Sequence, residues 1–164
     1  MTDTKFITHP ETRVGHVHLK VADLDRAIGF YRDLLGFELQ QKFGTQAAFL
    51  SAGGYHHHIG LNTWDSKNGT PPPRGHTGLF HVAFLYPDRR ALAAALRAVL
   101  NAGVSLDGAA DHGVSEAVYF TDPDGNGIEL YRDRDPQDWP RDSSGNLGMS
   151  NAPLDIEALL AEAE

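Results

Sequence analysis

The sequence predicts an α+β fold of two paired βαβββ modules with a short helix closing the chain, and three observations predict it. His16-Val-His-Leu-Lys-Val-Ala-Asp23 is echoed by His81-Val-Ala-Phe-Leu-Tyr-Pro-Asp88, so in both halves a histidine opens an extended run and an aspartate follows seven positions later. Helical periodicity begins after each aspartate. Three strand-like stretches then complete each half.

In the first half, the run from His16 is rich in β-branched and large apolar residues, which suits a strand with one buried face. Asp23 stands as a helix N-cap, because its carboxylate can accept from the free amides of a first turn. Leu24, Ala27, Ile28, Tyr31, Leu34 and Leu35 recur at helical steps, and Gly36 stands where a C-terminal cap belongs. Strands are expected over residues 37–43, 46–51 and 57–64. In the second half, Asp88 is the cap and Leu92, Ala95, Leu96, Val99 and Leu100 form the apolar stripe, ending at Gly103. Strand character is weaker over 104–109 and strong over 116–121 and 127–132. Asp122-Pro-Asp-Gly-Asn-Gly joins the last two as a hairpin. The organisation is thus an N-terminal arm (1–13), a first module (14–64), a linker (65–78), a second module (79–132) and a C-terminal extension (133–164). Pro71-Pro72-Pro73 makes the linker stiff and extended. Leu154, Ile156, Leu159 and Leu160 give residues 153–164 an amphipathic helix, too short to stand alone, that docks on the domain or on a partner subunit.

At 164 residues the chain fits one ordinary domain or two small modules sharing a core, and 41% apolar residues can bury that core without staples. There is no cysteine, which excludes disulfides, thiolate metal sites, iron–sulfur clusters and cysteine nucleophiles. Any metal must be held by nitrogen and oxygen, which gives weight to the nine histidines. A formal charge of −8 argues against a nucleic-acid partner. No apolar run approaches the roughly 20 residues of a membrane span, and the polar start is no signal peptide. A cytoplasmic protein without a membrane partner is expected.

Strand residues alternate between faces. His16, His18 and Lys20 share one face of the first strand, while Val17, Leu19 and Val21 share the other. The apolar set packs on the helix, which turns the histidines toward whatever cavity the sheet encloses. By the echo, His81 takes the matching place in the second half, and two matched histidines converge across a pseudo-twofold axis. An isolated strand histidine is more often a structural residue satisfied by its neighbours; the repeat is what raises this pair. The last strands match as well, Ile59-Gly60-Leu61 against Ile128-Glu129-Leu130. Glu129 points away from its apolar flanks, a costly place for a carboxylate unless it is ion-paired or bound to a cation. Gly60 donates no ligand, so a symmetric set of four is reduced to two histidines and one carboxylate. With open positions, that is the donor set of non-haem Fe(II) oxygen chemistry.

A longer segment reads His112-Gly-Val-Ser-Glu-Ala-Val-Tyr119-Phe-Thr-Asp-Pro-Asp-Gly-Asn-Gly-Ile-Glu129. A histidine, a short spacer, an apolar–Tyr pair, an Asp-Pro-x-Gly turn and a glutamate in this order resemble the vicinal-oxygen-chelate superfamily. Within it they resemble most the type I extradiol ring-cleavage dioxygenases, in particular small catechol 2,3-dioxygenase-like members. Ala110 is a minor departure, and Asp-Pro-Asp-Gly by itself occurs in superfamily members of many activities. The resemblance spans roughly residues 14–132. It implies a cupped mixed sheet, formed by the paired modules around a metal site, with Fe(II) held by His16, His81 and Glu129; Mn(II) suits the same ligands. It implies that His112 and Tyr119 lie beside substrate and oxygen, and that an acid–base histidine opens the strand before the linker. In Tyr55-His56-His57-His58, alternation puts His56 and His58 on the face of Gly60, which selects His58. A bulge would reverse the parity and select His57, and a solvated turn is the alternative for all three.

The implied activity is extradiol cleavage of a catechol-type aromatic diol by dioxygen, a reaction of aromatic degradation. Larger family members carry four modules and this chain two, so a homodimer or higher homo-oligomer is expected. The rival on the same fold is a metal-dependent isomerase, epimerase or thiol-transferring resistance enzyme, and Gly60 counts against the isomerase. A non-catalytic protein that sequesters an aromatic or drug-like ligand is the third reading, and a complete ligand set counts against it.

Overall fold

The two aspartates expected to start helices, Asp23 and Asp88, act as caps in the computed structural model, which describes residues 5–163, and Asp155 caps a third helix. The Asp23 carboxylate accepts from the Arg26 amide at 3.0 Å, Asp88 from Ala91 at 2.8 Å and Asp155 from Ala158 at 2.9 Å. They start helices α1 (Leu24–Ile28), α2 (Arg89–Asn101) and α3 (Ile156–Ala161). The first helix widens into a π-helical stretch, Gly29–Leu34, before Gly36 turns the chain with φ of 77°; Gly103 ends the second helical segment at φ 75°.

The strands are β1 (Val17–Lys20), β2 (Glu38–Phe43), β3 (Ala47–Ser51), β4 (Ile59–Asn62), β5 (Val82–Leu85), β6 (Gly108–Asp111), β7 (Ser115–Thr121), β8 (Gly127–Asp133) and β9 (Ala152–Pro153). They form two hydrogen-bonded sheets, β1-β4-β3-β2 and β5-β8-β7-β6-β9. The expected mixed character is present in both: β1 runs parallel to β4 and β5 parallel to β8, while the remaining pairs are antiparallel. The echo is exact in register. His18 pairs with Gly60 in the first half and Ala83 with Glu129 in the second, so Gly60 and Glu129 hold equivalent places. Among the described residues the hydrogen bonding does not run from β1 to β5, so the paired modules contribute two separate ladders. The weak strand signal at 104–109 resolves into β6 at Gly108–Asp111, where pairing to β7 begins, and Val104 and Leu106 pack against the core ahead of it.

The halves share one core. Phe30 meets Phe120 with ring centroids 6.3 Å apart, and Phe37 meets Phe84 at 5.0 Å. The turn expected only to close a hairpin also ties the halves together. Asp122 accepts from the amides of Asp124 and Asn126 and from the Asn126 side chain, each at 2.9 Å. Its Oδ2 still accepts the buried Tyr31 hydroxyl at 2.8 Å. Asp124 takes the Ala22 amide at 2.9 Å and pairs with Arg26 at 2.6 Å.

The closing helix docks on its own chain. Leu159 is fully buried, Arg89 reaches the Ala158 carbonyl at 3.2 Å and Glu162 at 2.8 Å, and Arg97 donates to the Leu160 carbonyl at 2.7 Å. Among the described residues no helix is long and apolar enough to cross a membrane.

Candidate metal centre

Glu129 sits in β8 between Ile128 and Leu130, both fully buried in the core, so alternation sends its carboxylate to the opposite face. It is itself only 8% exposed. Two neighbours meet it there. His81, one residue ahead of β5, brings Nε2 to 2.8 Å from Oε2. Tyr119, its cross-strand partner on β7, donates its hydroxyl to Oε1 at 3.2 Å. The chain of contacts continues outward: His112 Nε2 lies 2.8 Å from the Tyr119 hydroxyl, and His112 Nδ1 lies 2.8 Å from the Ser150 carbonyl oxygen. His81, Glu129, Tyr119 and His112 thus form one connected network, as four of the six residues singled out in the sequence. Burial, and after it the Glu129 charge, pushes the Tyr119 phenol up to about 12, so it is a neutral donor near neutral pH.

Two features fit a cation at the His81–Glu129 pair. Ligand atoms each about 2.1 Å from a metal at right angles are about 3 Å apart, and the observed 2.8 Å matches neighbouring coordination positions. The Glu129 carboxylate is also deep enough that a counter-charge lowers its cost. Gly127 makes this approach possible. A Cβ at that position would collide with the Phe80 carbonyl oxygen and lie 3.1 Å from the His81 Cβ. Its role escaped the sequence reading, where Asp-Gly-Asn-Gly signalled only a turn.

The first-half residues are placed differently. His16 lies just ahead of β1, exposed, with its ring 4.4 Å from that of His57. His57 in turn has Nδ1 2.7 Å from Nδ1 of His56. His58 accepts the Ala52 amide at Nδ1 (3.2 Å), and it shares with His16 a cleft that runs beside β5. His81 instead lines a separate cavity with Tyr119. Among the described residues no three histidine or carboxylate side chains gather into a ready ligand set, so His16 does not join His81 and Glu129 within one chain. Gly60 is a glycine for a visible reason: a Cβ there would stand 2.9 Å from the His18 ring.

The cavity beside His81 and Tyr119 has a volume of about 420 Å³, with the exposed Phe80 ring, Tyr119 and Thr121 among the residues that line it. That size and apolar lining suit a small aromatic molecule.

Paired βαβββ halves, with a histidine ahead of one parallel strand and a glutamate on its neighbour, define a class of fold and site. The model of the Glyoxalase/Bleomycin resistance protein/Dioxygenase superfamily matches residues 13–130, and the chain belongs to that superfamily. It is 42% identical over 156 residues to the catechol-2,3-dioxygenase of Bacillus subtilis (strain 168), covering 94% of this chain and 53% of that protein. It is 29% identical over 123 residues to biphenyl-2,3-diol 1,2-dioxygenase 3 of Rhodococcus globerulus, covering 74% of this chain and 63% of that one. The chain therefore spans between half and two-thirds of the length of these relatives. Among solved structures, a glyoxalase/dioxygenase from Nostoc punctiforme superposes with a TM-score of 0.64 at 21% identity, covering 80% of this chain and 99% of that one. Lactoylglutathione lyase from Agrobacterium tumefaciens gives 0.59 at 24%, covering 76% and 96%. Both share the fold.

Proposed function

We propose that the chain is a non-haem Fe(II)-dependent dioxygenase that opens a catechol-type ring beside, rather than between, its two hydroxylated carbons. The observation that carries this reading is the His81–Glu129 pair at 2.8 Å, backed by Tyr119 and His112 in a connected network. The similarity to two dioxygenases of aromatic diols supports it, as does the apolar cavity next to His81.

In this reading the ion is held by His81, Glu129 and His16, with His16 supplied by a second copy of the chain. Supporting the second copy are the exposed position of His16, the two-residue pair that lacks a third donor, and the exposed Phe80, Leu85 and Trp64. Fe(II) bound by these residues would supply a redox-active Lewis acid able to bring a catechol and dioxygen together. Mn(II) suits the same donors. His58, which shares the His16 cleft and so comes from the same second copy, takes the second catechol proton and later returns it. Tyr119 supplies a hydrogen bond to oxygens that gain negative charge as the ring opens, and His112 does so once its Nε2 has taken up a proton. Both atoms of dioxygen enter the product.

The test is anaerobic loading with Fe(II) followed by a panel of substituted catechols and air. A yellow ring-fission product with one dioxygen consumed per catechol is expected, and no turnover across the panel rejects the assignment. Glu129→Ala is expected to lose the metal on dialysis, while His58→Ala keeps it and loses turnover. Full metal occupancy in Glu129→Ala would remove Glu129 from the ligand set.

A further inference from the structure

A backbone carbonyl oxygen only accepts hydrogen bonds. The Ser150 carbonyl oxygen lies 2.8 Å from His112 Nδ1, so that ring nitrogen carries a proton. The Ser150 amide donates to the His112 carbonyl at 3.0 Å, so the main chain of one residue clasps both the backbone and the ring of the other. Ser150 Oγ adds a 3.4 Å contact to the Asp111 carbonyl.

The segment that brings Ser150 there is built for the purpose. It folds back at Asp142-Ser-Ser-Gly-Asn146, where the Asp142 carboxylate accepts from the Ser144 amide at 2.8 Å, the Asn146 amide at 2.9 Å and the Asn146 side chain at 3.2 Å. Asp122 makes the same pattern at the other turn. The Gly148 amide then donates to the Pro140 carbonyl at 2.8 Å, and β9 pairs with Ala110 and Asp111 of β6. Gly113 lets the segment come close: its φ is 76°, and a Cβ there would lie 2.8 Å from Pro140 Cγ and 3.4 Å from Ser150 Oγ. Beyond β9, α3 is fastened to α2 through Arg89 and Arg97.

We propose that residues 140–153 are a positioning strap for the candidate metal centre. Ser150 fixes His112 with Nδ1 protonated and leaves Nε2 as an acceptor, so the single Tyr119 hydroxyl proton lies between two acceptors, His112 Nε2 at 2.8 Å and Glu129 Oε1 at 3.2 Å. With Nδ1 committed to the strap, proton exchange at His112 is confined to Nε2. Ser150 acts through His112 and is a positioning residue. The link to turnover rests on the ring-cleavage reading, whereas the ring protonation does not.

The test is ¹⁵N-histidine labelling of the full, metal-free chain, with His112 assigned by the signals lost in His112→Gln. Wild-type His112 is expected to carry its proton on Nδ1. Ser150→Ala keeps that form, because the carbonyl stays. Ser150→Pro removes the amide that clasps His112 and is expected to shift the ring toward the Nε2–H form. In loaded enzyme it lowers kcat by about tenfold with little change in KM, as loss of a supporting hydrogen bond does. A wild-type His112 with a bare Nδ1 overturns the proposal, as does a Ser150→Pro chain with wild-type ring signals. If the chain turns over no catechol yet shows His112 protonated at Nδ1, the ring-cleavage reading falls and the strap stands.

Discussion

Tyr31→Phe tests how much one buried hydroxyl contributes to the tie between the two halves. Tyr31 is fully buried, and its hydroxyl donates to Asp122 Oδ2 at 2.8 Å. Burial, and then the Asp122 charge, pushes the phenol well above its ordinary range, so it remains a donor at every working pH. The substitution removes one oxygen and leaves the ring against Phe30, whose centroid is 5.1 Å away. A hydrogen bond to a charged acceptor contributes about 1.5–3 kcal/mol. Asp122 keeps three other donors, one of them on the same oxygen, so it is not orphaned and the lower end applies. The expected loss is about 1.5–2 kcal/mol, a fall in Tm of about 5 °C for a chain of this size. Urea unfolding read by tryptophan fluorescence and by circular dichroism measures it. Because Asp122 starts the turn that leads to Gly127, weaker metal binding at His81 and Glu129 should accompany the loss. A change under about 0.5 kcal/mol, the scatter of ordinary surface substitutions, would refute the tie.

Gly127→Ala should push the Phe80–His81 backbone off β8, costing about 1–3 kcal/mol and abolishing metal retention; dialysis followed by metal analysis checks it. Leu159→Ala should cost about 2–4 kcal/mol and speed hydrogen exchange across α3, since this leucine is fully buried. The Arg134 hydrogen bonds hold the Asp111 carboxyl down from an ordinary 3.8 to about 2. That shift corresponds to at most about 2.5 kcal/mol, and solvent screening of a carboxylate 29% exposed reduces it to about 1 kcal/mol. A depressed folded pKa stabilises above the unfolded value and is lost as pH falls through the folded one. Asp111→Asn should therefore be destabilising by a constant amount at pH 5–7, with the difference from wild type vanishing between about pH 4 and pH 2.

What the sequence determined by itself was local and repetitive. The two helices with their aspartate caps and terminal glycines, the strands other than β6 and β9, and the equivalence of Gly60 with Glu129 follow from period, cap chemistry and an internal echo, all carried by near neighbours in the chain. Glu129 stood out because a carboxylate between two core residues is costly. The network of His81, Glu129, Tyr119 and His112 needed the register of β7 and β8 to bring Tyr119 and Glu129 side by side. Other decisions belong to the tertiary structure alone. Asp122 could not declare in sequence that it would take a hydroxyl from a helix 91 positions away. Gly127 reads as a turn residue until Phe80 and His81 are laid against it. Ser150 acts through a main-chain carbonyl, which every residue possesses, so no side-chain pattern could mark it. The separation of His16 from His81 within the chain was likewise set by how the sheets pack. An internal repeat fixes equivalence of position, whereas the distance between equivalent positions depends on which edges and faces the shared core leaves open.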